Sequence, residues 1–118
     1  MTRDEARKAF ADAGLDYGIL DRKSLQELRS RIDRELKTAG YMEGTYRMRM
    51  SLDFRETPNG TYAALRCKSH YFENREAVTF NPDGFIGFAG WADDTNVQPI
   101  LKAFAKWVSE FRPAPVLV

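Results

Sequence analysis

Apolar residues recur along this chain at two different spacings, and the change from one to the other divides it. Ala6, Ala9, Phe10 and Ala13 fall on one side of a helix, behind Thr2 with Glu5 three residues later, which is a capping-box pattern, and ahead of Gly14 as a stop. Leu25, Leu28, Ile32, Leu36 and Ala39 repeat the helical spacing up to Gly40. Either Asp21 or Ser24 can cap this second helix, and Ser24 with Glu27 forms another capping-box pattern. Its outer positions mix Lys23, Arg31, Arg34 and Lys37 with Glu27, Asp33 and Glu35, the composition of a solvated face.

From Tyr46 to Phe54 the period becomes two. Tyr46, Met48, Met50, Leu52 and Phe54 point one way, and Arg47, Arg49, Ser51, Asp53 and Arg55 the other. Pro58-Asn59-Gly60 follows, and an Asn59-Gly60 loop predicts a tight hairpin into a second strand from Thr61 to Phe72. That loop sets Phe54 opposite Leu65, Leu52 opposite Cys67, Met50 opposite Ser69 and Met48 opposite Tyr71, so the apolar faces coincide. A slip of two residues keeps every side chain on its face; a bulge does not.

Val78 and Phe80 lead into Asn81-Pro82-Asp83-Gly84, and a strand from Phe85 to Ala92 returns. With a bulge at Gly84, Val78, Phe80, Ile86 and Phe88 face the core, while Ala77, Thr79, Gly87 and Ala89 form an almost bare outer surface. Val97, Ile100, Leu101, Phe104, Trp107, Val108 and Phe111 then make a broad helical stripe. Asp94, Thr95 or Asn96 can cap it, Pro99 suits its first turn, and Pro113 and Pro115 end it. The expected fold is α+β: two N-terminal helices, a four-stranded antiparallel sheet of two hairpins, and a C-terminal amphipathic helix on one sheet face. All of it reads as a single domain over residues 1–118, with helices in 1–41, the sheet in 45–92, the last helix in 94–111 and a tail at 113–118.

Composition narrows the function classes. Eighteen Lys and Arg stand against seventeen Asp and Glu, so any electrostatic attraction to a partner must be local. The single cysteine, Cys67, excludes an internal disulfide and a multi-thiolate metal site, and favours a reducing, cytoplasmic setting. The charged N-terminal residues lack an apolar stretch behind them and no run approaches a membrane span, so neither secretion nor insertion is expected.

Chemistry-bearing residues are few. Cys67 and His70, three apart on a strand, point to opposite faces and form no dyad; Cys67 reads as a small core residue. His70 is the sole histidine, and an enzyme reading rests on it alone. Neither a cofactor nor a metal is expected. Asp93-Asp94 reads as a helix start rather than a cation site. The outer face of the first hairpin is different, for there Arg47, Arg49 and Arg55 lie beside Arg66, Lys68 and His70, flanked by Tyr62 and Phe72, with Asp53 as the acid. Such a face either covers an exposed sheet with solvated stems or binds an anionic partner, whether an acidic protein surface or a nucleic acid. Trp91 beside Gly87, Ala89 and Gly90 marks a groove that either receives a partner or packs the first helix.

The run Asn81-Pro82-Asp83-Gly84-Phe85-Ile86-Gly87-Phe88-Ala89-Gly90-Trp91-Ala92, continued to Trp107, resembles small uncharacterised proteins of phages and bacterial integrative elements. That resemblance implies a non-enzymatic accessory protein, with inhibitors of host defence such as anti-CRISPR proteins among the alternatives. The functional expectation is therefore a small binding module using Arg47, Arg49, Arg55, Arg66, Lys68, His70 and Phe72. A nucleic-acid-binding module, a defence inhibitor and a small enzyme using His70 stand as alternatives.

Overall fold

The structure, a computed structural model, describes residues 1–15, 20–40, 49–68 and 75–110. Helix α1 (Arg3–Asp12) begins at the Thr2–Glu5 capping box, with both reciprocal hydrogen bonds formed. Helix α2 (Arg22–Thr38) is capped by Asp21, whose carboxylate accepts from the Ser24 N–H at 2.7 Å. Strands β1 (Arg49–Thr57), β2 (Gly60–Lys68), β3 (Arg75–Phe80) and β4 (Ile86–Phe88) make one antiparallel sheet in sequence order, and helix α3 (Gln98–Glu110) follows. The mixed α+β architecture read from the periodicities is the one observed.

Four local features differ from expectation. The first hairpin turns at Pro58-Asn59, pairing Thr57 with Gly60, Leu52 with Leu65 and Met50 with Cys67. The central residues Pro58 and Asn59 both keep negative φ, which suits proline and rules out a type I′ turn, and Gly60 follows at a positive φ of 123°. Sidedness survives this two-residue slip. Second, β3 carries a bulge: Leu65 pairs with Val78 but Arg66 with Glu76, which leaves Ala77 unopposed on β2. Ala77 and Ala89 therefore belong to the core instead of the outer face, and Glu76 moves onto the outer face. Third, β4 is cut to three residues because Ala89 adopts φ +34°, so Trp91 lies beyond the strand. Fourth, α3 starts at Gln98, later than expected, since the Asp93 carboxylate takes the Thr95 and Asn96 N–H groups in a preceding turn. The second turn does place Gly84 at positive φ, with Val78 opposite Phe88 and Phe80 opposite Ile86 on the core face.

The core lies between the inner sheet face and the helices. Phe104 of α3 meets Phe88 edge-on at 4.8 Å between centroids, and Phe10, Phe80 and Trp107 surround it at 5.9–6.4 Å. Burying each such ring contributes roughly 1.5–3 kcal/mol, which makes this cluster the main anchor of α1 and α3. Helix α2 packs on α3 and covers β1, where Met50 is 7% exposed. Cys67, directly across from Met50, is fully buried, as its alternating position requires.

Both outer strands are closed off by helix side chains. From α1, Arg7 Nε donates to Ile86 O at 2.6 Å and Arg3 Nε to Phe88 O at 2.8 Å, along the free edge of β4. From α2, Arg29 and Arg22 donate to Met50 O and Phe54 O of β1 at 3.4 and 3.5 Å, and Asp33 accepts from the Met50 N–H. These contacts occupy part of the edge backbone with which an exposed strand would recruit another. No helix among the described residues is long and apolar enough to cross a membrane.

Candidate anion-binding surface

The outer sheet face presents Arg49, Asp53 and Arg55 from β1, and Tyr62, Arg66 and Lys68 from β2, because β-pleating sends alternate residues to one side. Arg47, His70 and Phe72 lie outside the described residues. Among those described, charge on this face is unevenly balanced. Arg66 pairs with Glu76 at 3.3 Å and approaches Asp53 at 3.8 Å, while Arg55 pairs with Asp53 at 3.2 Å and stacks over Tyr62. The Tyr62 hydroxyl accepts from Arg66 at 2.9 Å and donates to Glu76 at 3.2 Å. Burial, reinforced by the nearby Glu76 carboxylate, pushes the tyrosine pKa up, so this hydroxyl stays protonated as a donor. The middle of the face is thus a satisfied network of acids and cations.

At the open end of the hairpin the balance fails. Arg49 stands opposite Lys68, both exposed, and neither forms an ion pair with a described residue. Across the β1 edge, α2 adds Arg29, Arg34 and Lys37, and these residues with Ser30, Asp33, Arg49 and Met50 line a cleft of about 500 Å³. Arg29 is held in place by Gln26 Oε1 at 2.7 Å and by Met50 O. Arg34 and Lys37 point into solvent with no ion pair to a described residue. Elsewhere on α2, Arg31 bridges Glu27 and Glu110, and Glu35 draws Lys102 from α3.

Asp33 is the cleft's one carboxylate. It is half-buried, and among the described residues its Oδ1 is enclosed without a hydrogen-bond partner. Desolvation raises its pKa against the opposing pull of Arg29 and the Met50 N–H. It tethers α2 to the β1 edge and does little to neutralise the cations that face solvent. What the cleft can do chemically is hold negative charge, because guanidinium and ammonium groups from α2 and β1 line one opening. Cys67 is no part of any such site, since burial pushes its thiol up to about 11. Among the described residues, no group of His, Cys, Asp and Glu gathers that could hold a metal ion.

Sequence reading placed Arg34 and Lys37 on a solvated helix face and missed their meeting with Arg49. Periodicity locates residues on one element; it does not say which helix face abuts which strand. A second opening, of about 620 Å³, lies at the far end of the same sheet, between the β3–β4 hairpin and α1. Comparison with protein-family models, with curated proteins and with solved structures finds no match to this chain.

Proposed function

We propose that this chain is a small non-enzymatic binding protein that takes an anionic macromolecule, the phosphate backbone of a nucleic acid, on the cationic cleft between α2 and β1. The carrying observation is the convergence of Arg29, Arg34, Lys37 and Arg49 on a single opening whose one carboxylate, Asp33, is turned inward to the β1 edge. Lys68 extends the same positive surface onto the outer sheet face. The lining favours phosphate over an acidic protein surface because Met50 is its only apolar member, whereas protein interfaces have apolar centres and nucleic-acid interfaces are polar and strongly positive. Backbone contact of this kind gives affinity without sequence readout. An accessory role in phages or mobile elements belongs to the same reading and rests on the resemblance carried by residues 81–92.

The test is a fluorescence-anisotropy titration of a labelled 20-base-pair DNA duplex. Wild type should bind at low salt, and Arg34→Gln with Lys37→Gln should weaken binding at least tenfold. Reversing Lys8 and Lys106, which lie away from the cleft, should change it less than twofold. Equal losses in both variants would assign the effect to net charge, and binding of an acidic polypeptide in preference to the duplex would assign the cleft to a protein partner.

A further inference from the structure

We infer that the groove between the β3–β4 hairpin and α1 is a docking site for an acidic, extended segment of a partner protein, distinct from the cationic cleft. Its floor is the outer face of the second hairpin, where Thr79 lies opposite Gly87 and no side chain rises from the glycine. A Cβ placed on Gly87 would stand 3.4 Å from Thr79 Oγ1, so the bare position is what keeps the floor low. Phe85 and Trp91 form the walls. They are 53% and 37% exposed, and with Met1 they are the large hydrophobic residues most open to solvent among those described. Single exposed apolar residues are ordinary, but two aromatics flanking one groove are the composition of an interface centre.

The aromatics are held in place before any partner arrives. Trp91 Nε1 donates to Glu76 O at 2.9 Å and its ring lies under the Arg75 guanidinium at 5.7 Å; Arg7 lies over Phe85 at 4.5 Å. Preorganised rings lose little entropy on binding, which converts contact area into affinity. The chemistry of the occupant follows from charge. Four guanidiniums, those of Arg3, Arg7, Arg66 and Arg75, line the groove beside the carboxylate of Glu76, and of these Arg66 is already paired with Glu76 and Asp53. The acids that pair with Arg3 and Arg7 at its rim, Asp94 and Asp4, are almost wholly exposed and therefore screened. An occupant carrying Asp or Glu beside an aromatic or aliphatic side chain matches both features.

The mode of docking is also defined. Because Arg7 and Arg3 already take Ile86 O and Phe88 O, a partner strand cannot add to β4 through these carbonyls, and recognition runs through side chains laid across the face. The bulge at Ala77 serves this arrangement by turning Glu76 outward, where it fixes Trp91 through its carbonyl and Arg66 through its carboxylate.

The experiment is a selection from a random decapeptide display library against wild type, run in parallel against Gly87→Val. Valine suits a strand, so this change fills the floor without altering charge, and its melting curve is recorded to show that it folds. Wild type should enrich acidic peptides containing aromatic or aliphatic residues. A selected peptide should shift the Trp91 indole N–H resonance and bind at least tenfold more weakly to both Gly87→Val and Arg75→Ala, while affinity for a DNA duplex on Gly87→Val changes less than twofold. Failure to enrich any peptide, equal binding to Gly87→Val, or enrichment of basic peptides would overturn the proposal. Loss of duplex binding on Gly87→Val would give the groove to nucleic acid instead.

Discussion

Arg49 stands directly across the β1–β2 ladder from Lys68, two exposed cations at the open end of the hairpin. Like charges in this position destabilise a sheet, whereas an opposite pair contributes roughly 0.2–1 kcal/mol. Arg49→Glu should therefore raise the melting temperature by about 2–4 °C while weakening duplex binding at least fivefold. Thermal unfolding followed by circular dichroism, beside an anisotropy titration, reads both effects. A variant no more stable than wild type would show that the juxtaposition carries no cost, and one equally able to bind would show that it carries no function.

Cys67 is fully buried across from Met50, and desolvation pushes its thiol up to about 11. Only the thiolate attacks a disulfide reagent, so native protein at pH 8 should label on the order of a hundredfold more slowly than protein in 6 M guanidinium. Stopped-flow absorbance with an aromatic disulfide checks this. Fast native labelling would place β2 with its faces reversed.

Much of the fold was legible because it depends on signals within one element. The Thr2–Glu5 box, the stripes of α2 and α3, and the alternation from Met50 to Phe54 each act locally, and each appears where its spacing puts it. The register of the first hairpin was less legible, since Asn59-Gly60 signals a two-residue loop whereas the loop formed is Pro58-Asn59, with Gly60 already paired to Thr57. The second acid of the outer face, Glu76, was not legible for a different reason. Strict alternation would send Glu76 inward with Val78, but the bulge at Ala77 resets the pleat and brings Glu76 against Arg66. Nothing in the local sequence announces that bulge. The meeting of Arg34 and Lys37 with Arg49 was illegible because it arises from packing between elements.

Asp33 makes stability depend on pH in a direction opposite to the helix-capping carboxylates. Its folded pKa is raised above the ordinary 3.8 by burial, so the folded state holds the proton more tightly than the unfolded chain does. This group therefore increasingly favours folding as pH falls from its folded value towards 3.8, and opposes it above that window. Asp21, whose pKa is lowered by the Ser24 N–H, contributes in the reverse sense: its stabilisation is present above 3.8 and lost as pH falls through its folded value. In Asp33→Asn the first contribution disappears. The melting temperature of the variant relative to wild type should fall between pH 7 and pH 4, and calorimetry across that range measures it. A difference constant with pH would mean that Asp33 is not desolvated as its surroundings require.

The salt dependence of nucleic-acid binding tests the cationic cleft most directly, because it counts the phosphates that the cleft neutralises. For a B-DNA duplex, log K falls against log salt concentration with a slope of about −0.9 per phosphate contacted, so engagement of Arg29, Arg34, Lys37 and Arg49 predicts roughly −3 to −4. Replacing Arg34 and Lys37 by glutamine should reduce that slope by about 2 while leaving the melting temperature unchanged. A wild-type slope near zero, or a slope that the double substitution does not alter, would contradict the assignment of this cleft to a phosphate backbone.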